Sequence, residues 1–217
     1  MKKILNLVAA LVLAAAAPAA FAEMNLAVNV AAPHGNFVCD DVGENMSEVL
    51  WGLTAMKITD SNIALRWYIA GGTARSDAQS DGGAFTFTFG VGKAFVHTEH
   101  IVSAMTGMIG LDYIFLDSDT AYTVGNAVGK QEISDDIFGF RMGADWTTIL
   151  KFNRWIGLYT NLGFYYTVGS KSRDVDFEVK DEEGKKIRID NDPFEFDKTF
   201  SGFSFVPSVG INISLGS

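Results

Sequence analysis

Five charged side chains stand alone among apolar and small residues in this 217-residue chain: Glu48, Arg66, Asp112, Arg141 and Asp145. Burying a charge is costly, and buried charges persist when they are paired with opposite charges. Two arginines and three carboxylates in such surroundings therefore predict ion pairs inside the fold. The elements that carry these residues decide which of them can meet.

Enzymatic chemistry has little support among the other polar residues. The three histidines are His34, His97 and His100, and none has the serine and acid of a nucleophilic triad beside it. The single cysteine, Cys39, is expected to be a lone loop thiol. The sequence contains no glycine-rich phosphate loop, zinc-ligand spacing or nucleophile elbow. We predict no catalytic residue, no enzyme activity and no cofactor.

Two acidic runs, Asp117-Ser118-Asp119 and Asp190-Asn191-Asp192, invite comparison with a calcium loop. Neither run is followed by the remaining ligands and the glycine of such a loop. We therefore predict no metal site.

The segments around the lone charges alternate between bulky apolar residues and small or polar ones. In segment 85–92, one set of positions carries Phe, Phe, Phe and Val, and the other carries Thr, Thr, Gly and Gly. Successive side chains of a strand point to opposite faces, so one face is bulky and apolar. A soluble ligand-binding barrel would turn this face inward, whereas a barrel in lipid turns it outward. The interior of an eight-stranded barrel cannot house so many aromatic side chains, which favours lipid.

Eight segments show this alternation. No segment after the N-terminal region has the ~18 continuous apolar residues of a membrane-spanning helix. The predicted strands are 24–32, 46–57, 62–71, 84–95, 102–116, 136–147, 155–168 and 200–215.

The connections between these strands alternate in length. Those at 34–45, 73–83, 117–135 and 169–199 are long and polar, and those at 59–61, 97–100 and 148–154 are short. Up-and-down membrane barrels have long extracellular loops and short periplasmic turns. The sheet must close because lipid satisfies no backbone group. We predict an all-β fold: an eight-stranded antiparallel up-and-down transmembrane β-barrel, surrounded by the lipids of a bacterial outer membrane.

Residues 1–22 have the features of a cleaved signal peptide. Lys2 and Lys3 precede an apolar stretch at 4–20, and Ala20-Phe21-Ala22 matches a small-x-small cleavage pattern. We expect residues 23–217 to form the barrel domain. The formal net charge of −9 becomes −11 once the two leader lysines are removed, which argues against a nucleic-acid partner.

The whole pattern resembles the small eight-stranded outer-membrane proteins, the class that contains OmpA-type barrels, OmpX and OmpW. The resemblance covers the mature chain and rests on architecture. Many proteobacterial members end on an aromatic residue that the assembly machinery reads, whereas this chain ends Ile213-Ser214-Leu215-Gly216-Ser217. Either the source lies outside that group, for which a spirochaete is our expectation, or the assembly signal differs.

Strand phase places the five lone charges in the barrel interior, which is just wide enough for side chains. Asp112 and Arg141 lie on neighbouring strands at similar distances from the loop between them, which predicts a direct cross-strand pair. One interpretation is a structural plug of ion pairs. The other is a gate whose pairs exchange to admit a small solute.

Two prolines lie where the ring would close. Pro33 ends the first predicted strand, and Pro207 stands inside the last one, where it cannot donate a ladder hydrogen bond. A weakened seam between these strands could open sideways. The other interpretation is a bulge at Pro207.

The last long loop, 169–199, contains two alternating runs, 175–179 and 186–189, around a glycine-containing turn. This arrangement is typical of a hairpin that continues the strands beyond the membrane. Its edge could bind a host or surface partner by strand addition, or the loop could simply be solvated.

Two functions follow from these patterns. The resemblance to OmpW implies a narrow channel for small hydrophobic or amphiphilic molecules. The alternative is a structural or adhesin-like barrel that acts through its extracellular loops.

Overall fold

The computed structural model describes residues 24–39, 42–77, 80–124, 127–180, 186–189 and 198–215. The predicted leader and the acidic run at 190–192 lie outside these residues. No helix in the described part is long and apolar enough to span a membrane. The strands are β1 (Met24–Ala31), β2 (His34–Cys39), β3 (Val42–Ile58), β4 (Ile63–Ser76), β5 (Asp81–His97), β6 (Ile101–Val124), β7 (Ala127–Lys151), β8 (Ile156–Lys180), β9 (Lys186–Ile189) and β10 (Lys198–Leu215).

The predicted eight-stranded antiparallel ring is confirmed. β1 and β2 are two halves of the first barrel strand, since both pair with β3 on one side and with β10 on the other. Each of β3 to β7 pairs with the strand that follows it, and β8 pairs with β10. The short β9 lies outside the ring and pairs with β8.

The strands are staggered around the ring. A path at right angles to the strands, followed from partner to partner, leaves β3 at Met56 and returns to it at Met46, ten residues away. Stagger and strand number together set the tilt, about 35–45° in typical barrels, and the diameter. A ring of eight strands leaves an interior that side chains alone can fill.

The bulky face of the strands points outward, as predicted. Trp51, Ile109, Phe138, Phe164 and Ile211 are each more than half exposed on the outside of the ring. The small face points inward: Thr86 and Thr88 are buried, while their neighbours Phe85 and Phe89 are exposed. This arrangement rules out the soluble barrel with its aromatic residues inside, and it gives the ring an apolar band for lipid contact.

The four long connections were predicted wrongly as loops. Strand β2 and the start of β3 occupy most of 34–45, so Cys39 is a buried strand residue and not a loop thiol. β6 and β7 continue to Val124 and from Ala127 through the predicted loop 117–135, and β4 and β8 extend to Ser76 and Lys180. Ladder hydrogen bonds join backbone groups and need no apolar side chain, so polar segments can pair as well as apolar ones. The predicted hairpin of 175–179 with 186–189 is confirmed.

One wall of the barrel therefore rises above the apolar band. It consists of residues 117–124, 127–136 and 172–180 with β9, and we call it the extension. Asp117, Asp119, Thr120 and Ala121 are all exposed, so β6 has solvent on both faces here. Because longer connections lie on the outside of outer-membrane barrels, the extension is extracellular.

A charge placed on the apolar band should destabilise the protein, whereas one on the extension should not. Ile109→Arg puts a charge in the hydrocarbon layer, and we expect it to lower the free energy of unfolding by about 2–4 kcal/mol. Thr120→Arg on the same strand is the matched control and should leave the free energy nearly unchanged. Urea unfolding in lipid vesicles measures both, and equal losses would contradict the position of the band.

Candidate functional site

The structure places all five lone charges inside the barrel. Glu48, Arg66, Asp112, Arg141 and Asp145 are each 1–6% exposed. They lie on β3, β4, β6 and β7, because strand alternation puts their positions on the small face. They form two groups, one toward the periplasmic end and one toward the extracellular end.

The periplasmic group spans the interior from one wall to another. Arg66 on β4 forms an ion pair with Asp145 on β7, and its Nη2 donates a hydrogen bond to the Tyr159 hydroxyl on β8 at 2.8 Å. Thr54 on β3 donates to the same hydroxyl at 3.3 Å, and Asn29 on β1 donates to the Thr54 oxygen at 2.9 Å. The group therefore ties five strands together across the interior.

The extracellular group centres on Arg141, whose Nε lies 2.6 Å from Asp112 Oδ2. The predicted direct cross-strand pairing is wrong, since Asp112 lies opposite Gly139 and Arg141 lies opposite Gly110. The ion pair runs diagonally because the arginine side chain is long enough to cover an offset of two residues. Glu48 lies within electrostatic range of both Arg141 and Asp112.

Apolar side chains pack above and below these charges. The extracellular cluster includes Phe37, Leu50, Leu116, Ile137 and Phe200, and the periplasmic cluster includes Met56, Ile58, Val102, Ile149 and Tyr159. Each of these ten side chains is at most 2% exposed. The apolar side chains therefore shield the charged groups from water along the described interior.

The two prolines lie side by side at the seam, Pro33 within the first barrel strand between β1 and β2 and Pro207 on the neighbouring β10. The Ala32 N–H donates to the Pro207 carbonyl at 2.9 Å, and the Glu48 N–H donates to the Pro33 carbonyl at 3.0 Å. Neither proline can return the hydrogen bond, so each edge of this strand lacks one ladder bond. The bulge expected at Pro207 is absent, because the register with β10 is the same for β1 and for β2.

A groove of about 490 Å³ lies on the outer surface just above these prolines. Phe164 and Tyr166 of β8, Phe203 and Phe205 of β10, and His34 of β2 contribute to its lining. The groove therefore crosses the seam between β10 and the first barrel strand on the side that faces lipid.

The histidines do not come together. His34 lies on the outer surface of β2, whereas His97 ends β5 and His100 lies in the turn that follows. In the part of the chain that the structure describes, no three His, Cys, Asp or Glu side chains converge as metal ligands would. The absence of enzyme activity stays a prediction.

Sequence reasoning missed a third group of charges at the extracellular mouth. Glu44, Asp135, Lys171 and Arg173 join β3, β7 and β8 there, and we call them the mouth cluster. All four lie inside segments that were interpreted as loops, so the strand alternation was not applied to them. Continuing the alternation of β3, β7 and β8 by a few residues would have placed all four on the inner face.

The mouth cluster changes the acidity of one of its members. Burial acts to raise the pKa of Asp135, but hydrogen bonds from Arg173 and Lys171 outweigh it and hold the pKa below its usual range. A carboxyl with a lowered pKa stabilises the fold above its ordinary pKa, and this stabilisation is lost as the pH falls through the lowered value.

Removing one partner of the buried Arg66–Asp145 pair should cost more than removing both. Asp145→Asn leaves the Arg66 guanidinium unpaired, and we expect a loss of about 3–5 kcal/mol in the free energy of unfolding. The double variant Arg66→Met with Asp145→Leu should be neutral or stabilising. Arg75→Gln, which breaks an exposed ion pair with Asp81, is the control and should have no effect. Unfolding in lipid vesicles measures all three, and a double variant as unstable as Asp145→Asn would contradict this account.

Known proteins resemble this chain in structure alone. No protein-family model matches the sequence, and no curated protein matches it. The outer-membrane protein OprG from Pseudomonas aeruginosa superposes with a TM-score of 0.54 at 8% identity, covering 91% of this chain and 97% of that one. A major outer-membrane protein from Thermus thermophilus gives 0.44 at 12% identity over 88% and 99%. The attachment invasion locus protein Ail of Yersinia pestis gives 0.37 at 9% identity over 88% and 99%.

At these sequence identities only the folds can be compared. Of these three structures, OprG alone has a TM-score above 0.5. OprG and this chain match over nearly their whole lengths. Together with the ring of eight strands and the outward apolar band, this likeness shows that the chain has the fold of the small outer-membrane β-barrels.

Proposed function

We propose that this barrel acts at the cell surface, by binding an extended polypeptide at the edges of its extension. The observation that carries this proposal is a sheet that continues past the apolar band. β6 and β7 stay paired from Asp117↔Ser134 to Val124↔Ala127, which corresponds to about 25 Å of strand. A wall of this height reaches well beyond the membrane surface.

The extension has two edges that suit strand addition. The pairing of β5 with β6 ends at Asp81↔Asp117, so within the described residues β6 beyond that point pairs only with β7. Segment 118–124, Ser-Asp-Thr-Ala-Tyr-Thr-Val, is rich in residues that favour strands and carries one charge. At the other edge, β9 pairs with β8 and belongs to the segment 169–199, whose edge is the second candidate for strand addition. Exposed edges of this kind are templates for another strand.

The packed interior supports the same proposal. The Arg66–Asp145 pair and the hydrogen bonds of Arg66 and Thr54 to Tyr159 fix β3, β4, β7 and β8 to one another through the middle of the barrel. A filled barrel supplies a rigid base from which the extension can present its edges. An open axial channel would require these buried side chains to move together.

Trimming the extension tests this proposal. Ser118 and Ile133 lie directly opposite each other, so an Asn-Gly turn can join them in place of residues 119–132. We expect a phage-displayed peptide library to yield binders on the intact protein in nanodiscs. The trimmed barrel keeps β9 paired with β8, so we expect it to lose the binders that occupy the β6 edge and to keep those that occupy the β9 edge.

The selected peptide provides its own control. Strand addition uses backbone hydrogen bonds, so N-methylation at alternate residues should abolish binding while leaving the side chains unchanged. Binding that tolerates backbone methylation would contradict strand addition at either edge. A library from which the trimming removes no binder would contradict it at the β6 edge.

A second candidate function is the exchange of small hydrophobic or amphiphilic molecules through the seam. It is favoured by the two missing ladder bonds beside Pro33 and Pro207 and by the lipid-facing groove just above them. The apolar extracellular cluster on the inner side of the same wall would receive such a molecule. In this candidate the barrel is OmpW-like in function, and the solute moves sideways between the interior and the lipid.

A disulfide across the seam tests the second candidate. Ala31 and Ser208 lie directly opposite each other, and the pair Ile58 and Ala64 gives a matched disulfide between β3 and β4. In a Cys39→Ala background, we expect the seam disulfide to stop uptake of small apolar solutes into proteoliposomes and reduction to restore it. The control disulfide should have no effect, and uptake that persists with the seam locked would exclude this route.

A further inference from the structure

Lys171 connects two walls of the barrel that are not neighbours. Its Nζ lies 2.9 Å from Glu44 Oε2 on β3 and 3.0 Å from Asp135 Oδ2 on β7. In the ring, β10 and the first barrel strand separate β8 from β3. The contact between Lys171 and Glu44 is therefore a bridge across the mouth.

The two carboxylates that Lys171 contacts are each held in place by a further hydrogen-bond donor. Arg173 binds both oxygens of Asp135, at 2.7 Å through Nε and 2.8 Å through Nη2. Ser76 on β4 donates a hydrogen bond to the second oxygen of Glu44. The side chains of Lys171 and Asp135 are 4% and 3% exposed, and that of Glu44 is 12% exposed. The bridge is nearly dehydrated, so loss of one partner would leave a buried charge unpaired.

The two strands that the bridge crosses carry an apolar layer at the mouth. Phe37 of β2 and Phe200 of β10 stack with their ring centres 4.7 Å apart. Cys39 lies opposite Phe200 in the register, is buried in the same cluster and is close enough to Arg173 to interact electrostatically with it. A native thiol thus lies beside the mouth cluster on its inner side.

We propose that the mouth cluster is a latch, which closes the extracellular mouth and ties the base of the extension to the opposite wall. The proposal rests on the surface function proposed above, because the latch would transmit movement of the extension to the mouth. Asp135 and Arg173 are directly opposite each other on β7 and β8, where these strands leave the barrel. Both strands then continue into the extension.

The Glu44–Lys171 contact is the one that breaks when the latch opens. Asp135 and Arg173 belong to one pair of adjacent strands and move together, held by a two-point contact that fixes their geometry. Lys171 reaches Glu44 through a single ammonium group on a flexible stem. A shift of β7 and β8 away from β3 therefore separates Lys171 from Glu44 first, and it uncovers the apolar layer and Cys39.

The labelling rate of Cys39 tests the latch without any partner. The full mature protein in nanodiscs is treated with a small maleimide, and its folding is checked by heat-dependent migration on gels. We expect Glu44→Gln and Lys171→Met each to raise the labelling rate by at least about tenfold, because either change breaks the bridge. Arg75→Gln, which breaks an exposed pair on the outer surface, should leave the rate unchanged.

Unchanged rates in folded Glu44→Gln protein would overturn the latch, and so would an equal rise in Arg75→Gln. If Lys171→Met does not fold, Glu44→Gln decides alone, since it keeps the shape of the side chain and its contact with Ser76. The surface function has a separate measurement. If no peptide binds but the Cys39 labelling rate changes as expected, the proposed partner is contradicted and the latch is not.

Discussion

The structure depends on one constraint: no backbone N–H or C=O group can face hydrocarbon without a partner. Eight strands meet it by closing into a ring, and the stagger of ten residues from Met56 to Met46 sets how narrow that ring is. Once the ring is narrow, the inner face can hold only side chains. The division into an apolar exterior and a densely packed interior follows from this closure.

The packed interior determines where function can lie. The Arg66–Asp145 and Lys171–Glu44 pairs bridge strands that are not neighbours, and the Arg141–Asp112 pair joins the adjacent strands β6 and β7. Two apolar clusters pack around these charges. These bridges make the cylinder stiff along its length. The parts of the molecule that remain available for contact are the extension above the membrane and the seam where the prolines interrupt the ladder.

Strand alternation in the sequence predicted the ring, its faces and the inward position of the five lone charges. It failed where strands leave lipid. A segment such as 117–121 has water on both faces, so its sequence lacks the contrast between apolar and polar positions that marks a strand in the membrane. The mouth cluster was missed for the same reason, since Asp135, Lys171 and Arg173 lie at the ends of such segments. The diagonal contact of Arg141 with Asp112 depends on register and side-chain length, which spacing along the sequence does not define.

The separation in sequence of the interior partners has a consequence for biogenesis. Arg66 and Asp145 are 79 residues apart, and Lys171 and Glu44 are 127 apart. A chain that entered the bilayer one hairpin at a time would carry each of these charges into hydrocarbon before its counterpart arrived, at a prohibitive cost. The polypeptide must instead gather its early and late segments at the membrane surface or on an assembly factor, and integrate as a nearly complete cylinder.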